Sequence, residues 1–367
     1  MTTKATKNWS VLLIDDEQSL LDKLSNEVRE RVDPMGVEVR TWLPKKEESN
    51  AQDTFDATVD SNTLLVVTDY DLSKGQKGLF GVSIVAWSQA KAVPVGDYSR
   101  GKPAALPSEP NFFELRVPIV EGKAAAFIAA VCEGFKEVRE ATKENKFGDK
   151  RNPAAVIAAI VEKPELERQF ALFTARLGAA NAGLVEKLRA TAGKDASPDA
   201  QQRSELLAYV VGHVLLNAVL KFAGPVLSEP ALSSYVAIRA DQLSVVAPLL
   251  EKAVYSGPFR SVEKYYWRDS IDEILAGAAD GLDEQTFETV GEMNRAALER
   301  MLGKSLERHG CDRCNGNNGG YHCPFTQRTV CQRADCSVTA SSWIPQGADV
   351  CRVEKDFYDE WAPLLGL

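Results

Sequence analysis

Val11-Leu12-Leu13-Ile14-Asp15-Asp16 and Leu64-Leu65-Val66-Val67-Thr68-Asp69 are the two stretches that decide the fold. Each is a short apolar run that breaks off on a carboxylate. Between them, Ser19–Val32 places Leu20, Leu21, Leu24, Val28 and Val32 at helical spacing, and Val37–Trp42 reads as a further strand. Working outward, Val82–Ala90 reads as a helix, Ala92–Val95 as a fourth strand, Phe112–Ile119 as a fifth and Gly122–Val138 as an alanine-rich helix. Alternation of this kind implies parallel strands joined by right-handed crossovers, so residues 1–141 are expected to form a doubly wound α/β sheet. Strands that end in acids gather carboxylates at one sheet edge. Such an edge can seat a hard divalent cation such as Mg²⁺ and leave one carboxylate as a nucleophile.

The remainder has a different texture. Glu140–Lys150 is a charged, glycine-containing break, and Asn152-Pro153 is a helix start. From there to about residue 309 the pattern is nearly all helical, with long stretches expected at Pro164–Ala192, Asp199–Phe222, Leu243–Val254 and Asp283–Arg308. There is no internal repeat, which favours an irregular helical domain over residues 150–305 rather than a solenoid. Residues 306–367 change composition again. Asn315-Gly316-Asn317-Asn318-Gly319-Gly320 cannot be regular structure, and six of the seven cysteines fall between Cys311 and Cys351.

Composition narrows the class. The 367 residues are 44% hydrophobic and 26% charged, ordinary values for a globular chain that buries a core. The formal net charge of −9 argues against a chain-wide surface for nucleic acid or anionic lipid. Met1–Ser10 lacks the apolar stretch of a secretory signal, and no segment reaches the roughly 20 apolar residues of a membrane span. A cytoplasmic protein is the expectation. No phosphate-cradling Gly-rich loop followed by Lys-Ser/Thr occurs, three histidines offer no Ser-His-Asp arrangement, and nothing points to a hydrolase or other enzyme.

The first 140 residues resemble the receiver domain of response regulators. The acidic pair Asp15-Asp16 matches the family's pair at the end of strand one, and Glu17 follows it. Asp69 matches the phosphorylated aspartate at the end of strand three, with Leu72 three residues on; Ser73 stands where the family usually has proline. Gly75, Gly78 and Gly81 resemble the loop that follows, and Ser99 matches the Ser or Thr after strand four. The resemblance implies Mg²⁺ held by Asp15, Asp16, Asp69 and the carbonyl of Asp71, phosphoryl transfer to Asp69 from a partner histidine kinase, and Ser99 reporting occupancy. The chain departs from the family in strand five. Leu115-Arg116-Val117-Pro118 carries valine where the family's lysine precedes proline, Arg116 lies one position early, and Lys102 is the nearest substitute. That departure keeps a second reading open: a non-phosphorylated adaptor in a bacterial stress or antiviral defence system. Asp71 and Asp97 read as ordinary loop acids.

The tail reads as a metal site. Cys311-x2-Cys314 has the spacing by which two thiolates on one turn face one ion, and Cys331-x4-Cys336 supplies a second pair. Zn²⁺ takes four ligands, so Cys311, Cys314, Cys331 and Cys336 are the simplest set, with Cys323 competing for a place. Closed thiolate sites stabilise small modules and do no chemistry. Cys351 and Cys132 read as buried thiols. From Arg300 to Cys336 there are six basic and three acidic residues, and Tyr321, Phe325 and Trp343 are candidates to stack on bases. Without a basic recognition helix, nucleic acid is not the favoured partner, and output through protein contacts is expected. His213, in an apolar helix, reads as a hydrogen-bonded core residue, and Tyr265-Tyr266-Trp267 as core packing.

Overall fold

The computed structural model describes residues 9–45, 50–98, 112–120, 122–144, 148, 152–175, 199–279, 287, 289–314 and 320–363. Five parallel strands form one sheet: β1 (Trp9–Ile14), β2 (Val37–Trp42), β3 (Thr63–Thr68), β4 (Val95–Asp97) and β5 (Glu114–Arg116), in the order β2-β1-β3-β4-β5. The helices are α1 (Gln18–Val32), α2 (Ala51–Thr58), α3 (Gly81–Ala90) and α4 (Lys123–Lys143). The strand order reverses between β1 and β3, because β1 pairs with β2 on one side and β3 on the other. In open α/β sheets the crevice beyond such a reversal is where ligands bind.

Alternation along the strands sorts the core. Leu12, Ile14, Val66 and Val95 meet Phe55 of α2 and Ile84 and Val85 of α3 on one face. The helices α1 and α4 pack together, α1 against β1 and β2 and α4 against β3, on the other side. β1 and β3 are buried along their whole length, which is why they read as unbroken apolar runs. The strand expected at Ala92–Val95 forms two to three residues later, and β5 is three residues long rather than eight. Ala92 has φ +53°, so it serves a left-handed turn that precedes β4.

By compactness the chain forms two units: residues 1–105, 109–151 and 183–213, and residues 106–108, 152–182 and 214–367. The sequence pattern suggests three segments; here the helical middle and the cysteine-rich tail share the second unit, and helix Asp199–Val214 contributes to the first unit as far as His213. There, His213 is fully buried, its Nδ1 paired with the Tyr209 carbonyl at 2.8 Å, and Phe113 stacks on Tyr209 with ring centroids 5.0 Å apart.

The second unit is less regular than its sequence suggests. The helical elements run Pro153–Ile160, Glu167–Thr174, Leu215–Val219 (a π-helical turn), Glu229–Tyr235, Arg268–Ala279 and Val290–Leu302, with short turns of helix elsewhere. Leu243–Val254 shortens to a four-residue helix and a 3₁₀ turn, and the part of the expected helix beyond Ala175 lies outside the described residues. Tyr265–Trp267 is buried, as core packing requires, but as a strand paired antiparallel with Val226–Ser228. Two further hairpin-like pairs, Tyr321–Cys323 with Arg328–Val330 and Ser337–Val338 with Val353–Glu354, build the tail. Among the described residues, no helix is long and apolar enough to cross a membrane.

Candidate functional site

Asp15 and Asp16 follow the last residue of β1, and Asp69 follows the last residue of β3, so the three flank the strand-order reversal. The backbone holds them there: Asp69 N donates to the Ile14 carbonyl at 3.1 Å, and Asp15 N to that of Trp42 at 3.4 Å. Asp15 is 7% exposed and its Oδ1 accepts from Glu17 N at 2.8 Å. Burial, with Asp69, Asp16 and Glu17 nearby, pushes its carboxyl up to about 6. Asp69 is half-buried and is also raised, by burial first and then by Asp16 and Asp97.

The loop after β3 closes against these acids. Asp16 Oδ2 accepts from Lys74 N at 2.9 Å and Gly75 N at 3.2 Å. Gly75 is required for this approach, since a Cβ there would lie 2.5 Å from the Pro44 carbonyl oxygen and 3.0 Å from Asp16 Cβ. Lys74 Nζ pairs with Glu17 at 2.6 Å. Asp71 enters a backbone bridge with Phe80, and hydrogen bonds from the Ser73 side chain and then from Ser73 N lower its carboxyl.

Asp97 is the residue that sequence reasoning misjudged. It is the last residue of β4, in register with Thr68 and Arg116, and its charge raises Asp69. The available signal was strand length, because extending strand four by two residues carries Asp97 from the loop to the acidic edge. Leu115 of β5 and Val117 just beyond it are buried and Arg116 is exposed, so valine occupies the inward-facing place at the strand end. Ser99 and Lys102 lie outside the described residues.

The cysteine cluster is tighter. The sulfur atoms of Cys311, Cys314, Cys331 and Cys336 all lie within 4.8 Å of one another, a group that can hold a metal ion. Among the described residues it is the one such group of His, Cys, Asp and Glu; the carboxylates of Asp15, Asp16 and Asp69 do not converge to that degree. The scaffold is local. Asp312 N donates to the Thr329 carbonyl at 2.9 Å, and Thr329 N returns to Asp312 Oδ2 at 2.7 Å, locking the first cysteine turn to the hairpin before Cys331. Ser337 Oγ donates to the Cys331 carbonyl at 2.5 Å and accepts from Arg352 Nε at 2.7 Å. Three of the thiols are buried and Cys314 is partly exposed. Burial and the neighbouring thiols hold the protons on Cys331 and Cys336, a preference that a divalent cation would reverse.

Cys323 is not part of the cluster. It is buried and its sulfur accepts from Glu354 N at 3.3 Å. Cys351 accepts from Ala223 N at 3.1 Å, and Cys132 is buried in α4. The aromatic residues proposed to stack on bases are engaged within the protein. Phe325 stacks on Phe357 with ring centroids 5.3 Å apart, Trp343 packs edge-on against both, and the Arg352 guanidinium lies 5.6 Å from the Tyr321 ring centre. Arg308, Arg313 and Arg328 pair with Glu292, Asp356 and Glu354.

Comparison of the chain with protein-family models, with curated proteins and with solved structures finds no match.

Proposed function

We propose that the chain is a response-regulator-like signalling protein. In this reading the edge formed by Asp15, Asp16 and Asp69 binds Mg²⁺, Asp69 accepts a phosphoryl group, and the second unit conveys the output through protein contacts. The observation that carries the reading is the strand order β2-β1-β3-β4-β5 with an acidic pair at the end of β1 and Asp69 at the end of β3. Mg²⁺ keeps several waters and needs one or two carboxylates, so the open spacing of these acids suits it better than it would suit a metal that demands four protein ligands. When bound, the cation offsets the negative charge of the acids and of the incoming phosphoryl group. An Asp69 oxygen would attack phosphorus, the P–N bond to a phosphohistidine donor breaking as the P–O bond forms, and the imidazole, protonated on its other nitrogen, would leave as a neutral ring.

The second reading, a non-phosphorylated adaptor in a stress or antiviral defence system, is favoured by two details. Val117 is buried where a cation would face Asp69, and Asp97 adds negative charge beside it. A small acyl-phosphate donor with Mg²⁺ separates the two. The first reading expects one added phosphate by intact mass, lost in Asp69→Asn. Mg²⁺ binding without phosphate uptake leaves the adaptor.

For the tail we propose a structural Zn²⁺ held by Cys311, Cys314, Cys331 and Cys336. Four buried or half-buried thiols at mutual contact, with no fifth position offered by a neighbouring His or carboxylate in the group, fit a closed tetrahedral site. Metal analysis of protein purified without chelators tests it, with about one zinc per chain expected.

A further inference from the structure

Among the described residues, eight large apolar side chains are exposed, and five of them leave one edge of the sheet: Tyr70, Phe80, Val82, Ile119 and Val120. Tyr70 directly follows Asp69. The Gly81 N–H donates to the Tyr70 carbonyl at 2.7 Å, which brings Phe80 and Val82 back beside it. Gly81 permits that return, since a Cβ would lie 2.6 Å from the Asp69 carbonyl oxygen. Ile119 and Val120 follow the end of β5, two strands from β3 in the same parallel sheet, so the two strand ends stand about 10 Å apart. β4 lies between them and ends on Asp97. Exposures are large: 63% for Val82, 54% for Val120 and 49% for Ile119. Exposed apolar side chains gathered at one sheet edge beside polar groups are the kind of surface that marks an interaction site.

We infer that this edge docks a protein segment that presents a lysine or arginine between apolar side chains, the cation meeting the carboxylates and the flanks covering Tyr70, Phe80, Val82, Ile119 and Val120. Charge complementarity selects the occupant. Asp15, Asp16, Asp69 and Asp97 make the centre negative, which disfavours nucleic acid, acidic peptides and anionic lipid. Among the described residues no Lys or Arg lies at ion-pair distance from Asp15, Asp16 or Asp69; the Lys74 ammonium pairs with Glu17 and acts on Asp16 and Asp69 only through its field, and Arg116, the last residue of β5, is exposed while Val117 after it is buried. A cation carried by a partner segment complements this edge. This inference uses the same acidic edge as the proposed phosphoryl site but does not depend on phosphoryl chemistry.

The test is selection from a random peptide library displayed on phage, with the full chain as bait. Enriched peptides should carry Lys or Arg flanked by Leu, Ile, Val or aromatic residues. Each should bind at least tenfold more weakly to Val82→Glu and to Val120→Glu, both checked for an unchanged melting temperature. Val82→Glu places an acid in the first turn of α3, where the helix dipole tolerates it, so the variant should fold. Enrichment of acidic or purely apolar peptides, or binding indifferent to both substitutions, overturns the inference. So does self-association, or binding to lipid vesicles, that the same substitutions abolish. Wild-type protein that selects such peptides yet takes up no phosphate keeps this inference and removes the phosphoryl reading; phosphate uptake without such peptides does the reverse.

Discussion

The carboxylate edge and the cysteine cluster are both collections of potential metal ligands, yet they are assembled in opposite ways. The acids come from strand ends far apart in sequence and meet only because the whole sheet forms, and Asp16 already accepts two backbone N–H groups from the β3–α3 loop. The cysteines come from two adjacent turns braced by a hairpin, and their sulfur atoms lie within 4.8 Å of one another. Ligands that converge in a mostly buried site favour a permanent ion that contributes folding free energy. Spaced, mutually repelling acids on a preformed sheet favour an occupant that comes and goes. The difference teaches that ligand type matters less than what the fold has done before the ligand arrives.

The largest effect should come from breaking the cysteine side. Because structural zinc supplies on the order of 10 kcal/mol to the module that binds it, a strong chelator or Cys331→Ser should unfold the tail. The tail shares its compact unit with the helical middle, so loss of structure should reach residues 214–363 and be visible at Trp267 and Trp343. The environments of Trp9, Trp42 and Trp87, in the sheet unit, should be unchanged, which tryptophan-to-phenylalanine variants and fluorescence would resolve. Unfolding of both units together would erase that contrast between the two sites.

The acidic side carries a pH signature. Asp15 in the folded chain holds its proton up to about pH 6, against 3.8 for the ordinary group, so the folded state binds more protons between those values than the unfolded state. Stability in the presence of a chelator therefore falls as pH rises from about 4 to about 6, by roughly 1–3 kcal/mol. Asp15→Asn should flatten that slope and raise stability at neutral pH, measured by denaturant unfolding of the first unit. A slope of the opposite sign would mean that Asp15 is stabilised as a carboxylate.

Gly75→Ala should cost about 1–3 kcal/mol, because the added Cβ collides with the Pro44 carbonyl and pushes the loop off Asp16. It should also weaken Mg²⁺ binding, which calorimetry would detect. Lys74→Ala should leave stability unchanged within error, since its Nζ–Glu17 pair is exposed and the contact to Asp16 is made by the backbone N–H.

The sheet was legible because β1 and β3 are buried on both faces and so appear as unbroken apolar runs ending in acids. The cysteine set was legible because thiolate pairs at short spacing on turns leave little choice of geometry; Cys323, which sequence could not exclude, is taken up by Glu354 N instead. β4 was misplaced because only three residues pair, too few for periodicity to locate, and Asp97 was misread with it. The apolar residues around the acids escaped notice because exposure depends on how the β3–α3 loop folds back, through the Gly81–Tyr70 hydrogen bond, and no local pattern encodes that. The helical unit was overestimated for a related reason: apolar stretches such as Leu243–Val254 are consistent with helix, but packing in an irregular unit breaks them into single turns.

The central claim is that the acids at the ends of β1 and β3 form a Mg²⁺-dependent phosphoryl site. It is tested most directly by titrating the whole chain with Mg²⁺, then with beryllofluoride, while following the backbone amide signals of Asp15, Asp16 and Asp69 by NMR. The account predicts that Mg²⁺ shifts all three signals, that beryllofluoride shifts Asp69 further only when Mg²⁺ is present, and that Asp69→Asn abolishes the second step. Signals that stay in place through both additions, in protein whose sheet is folded, would contradict it.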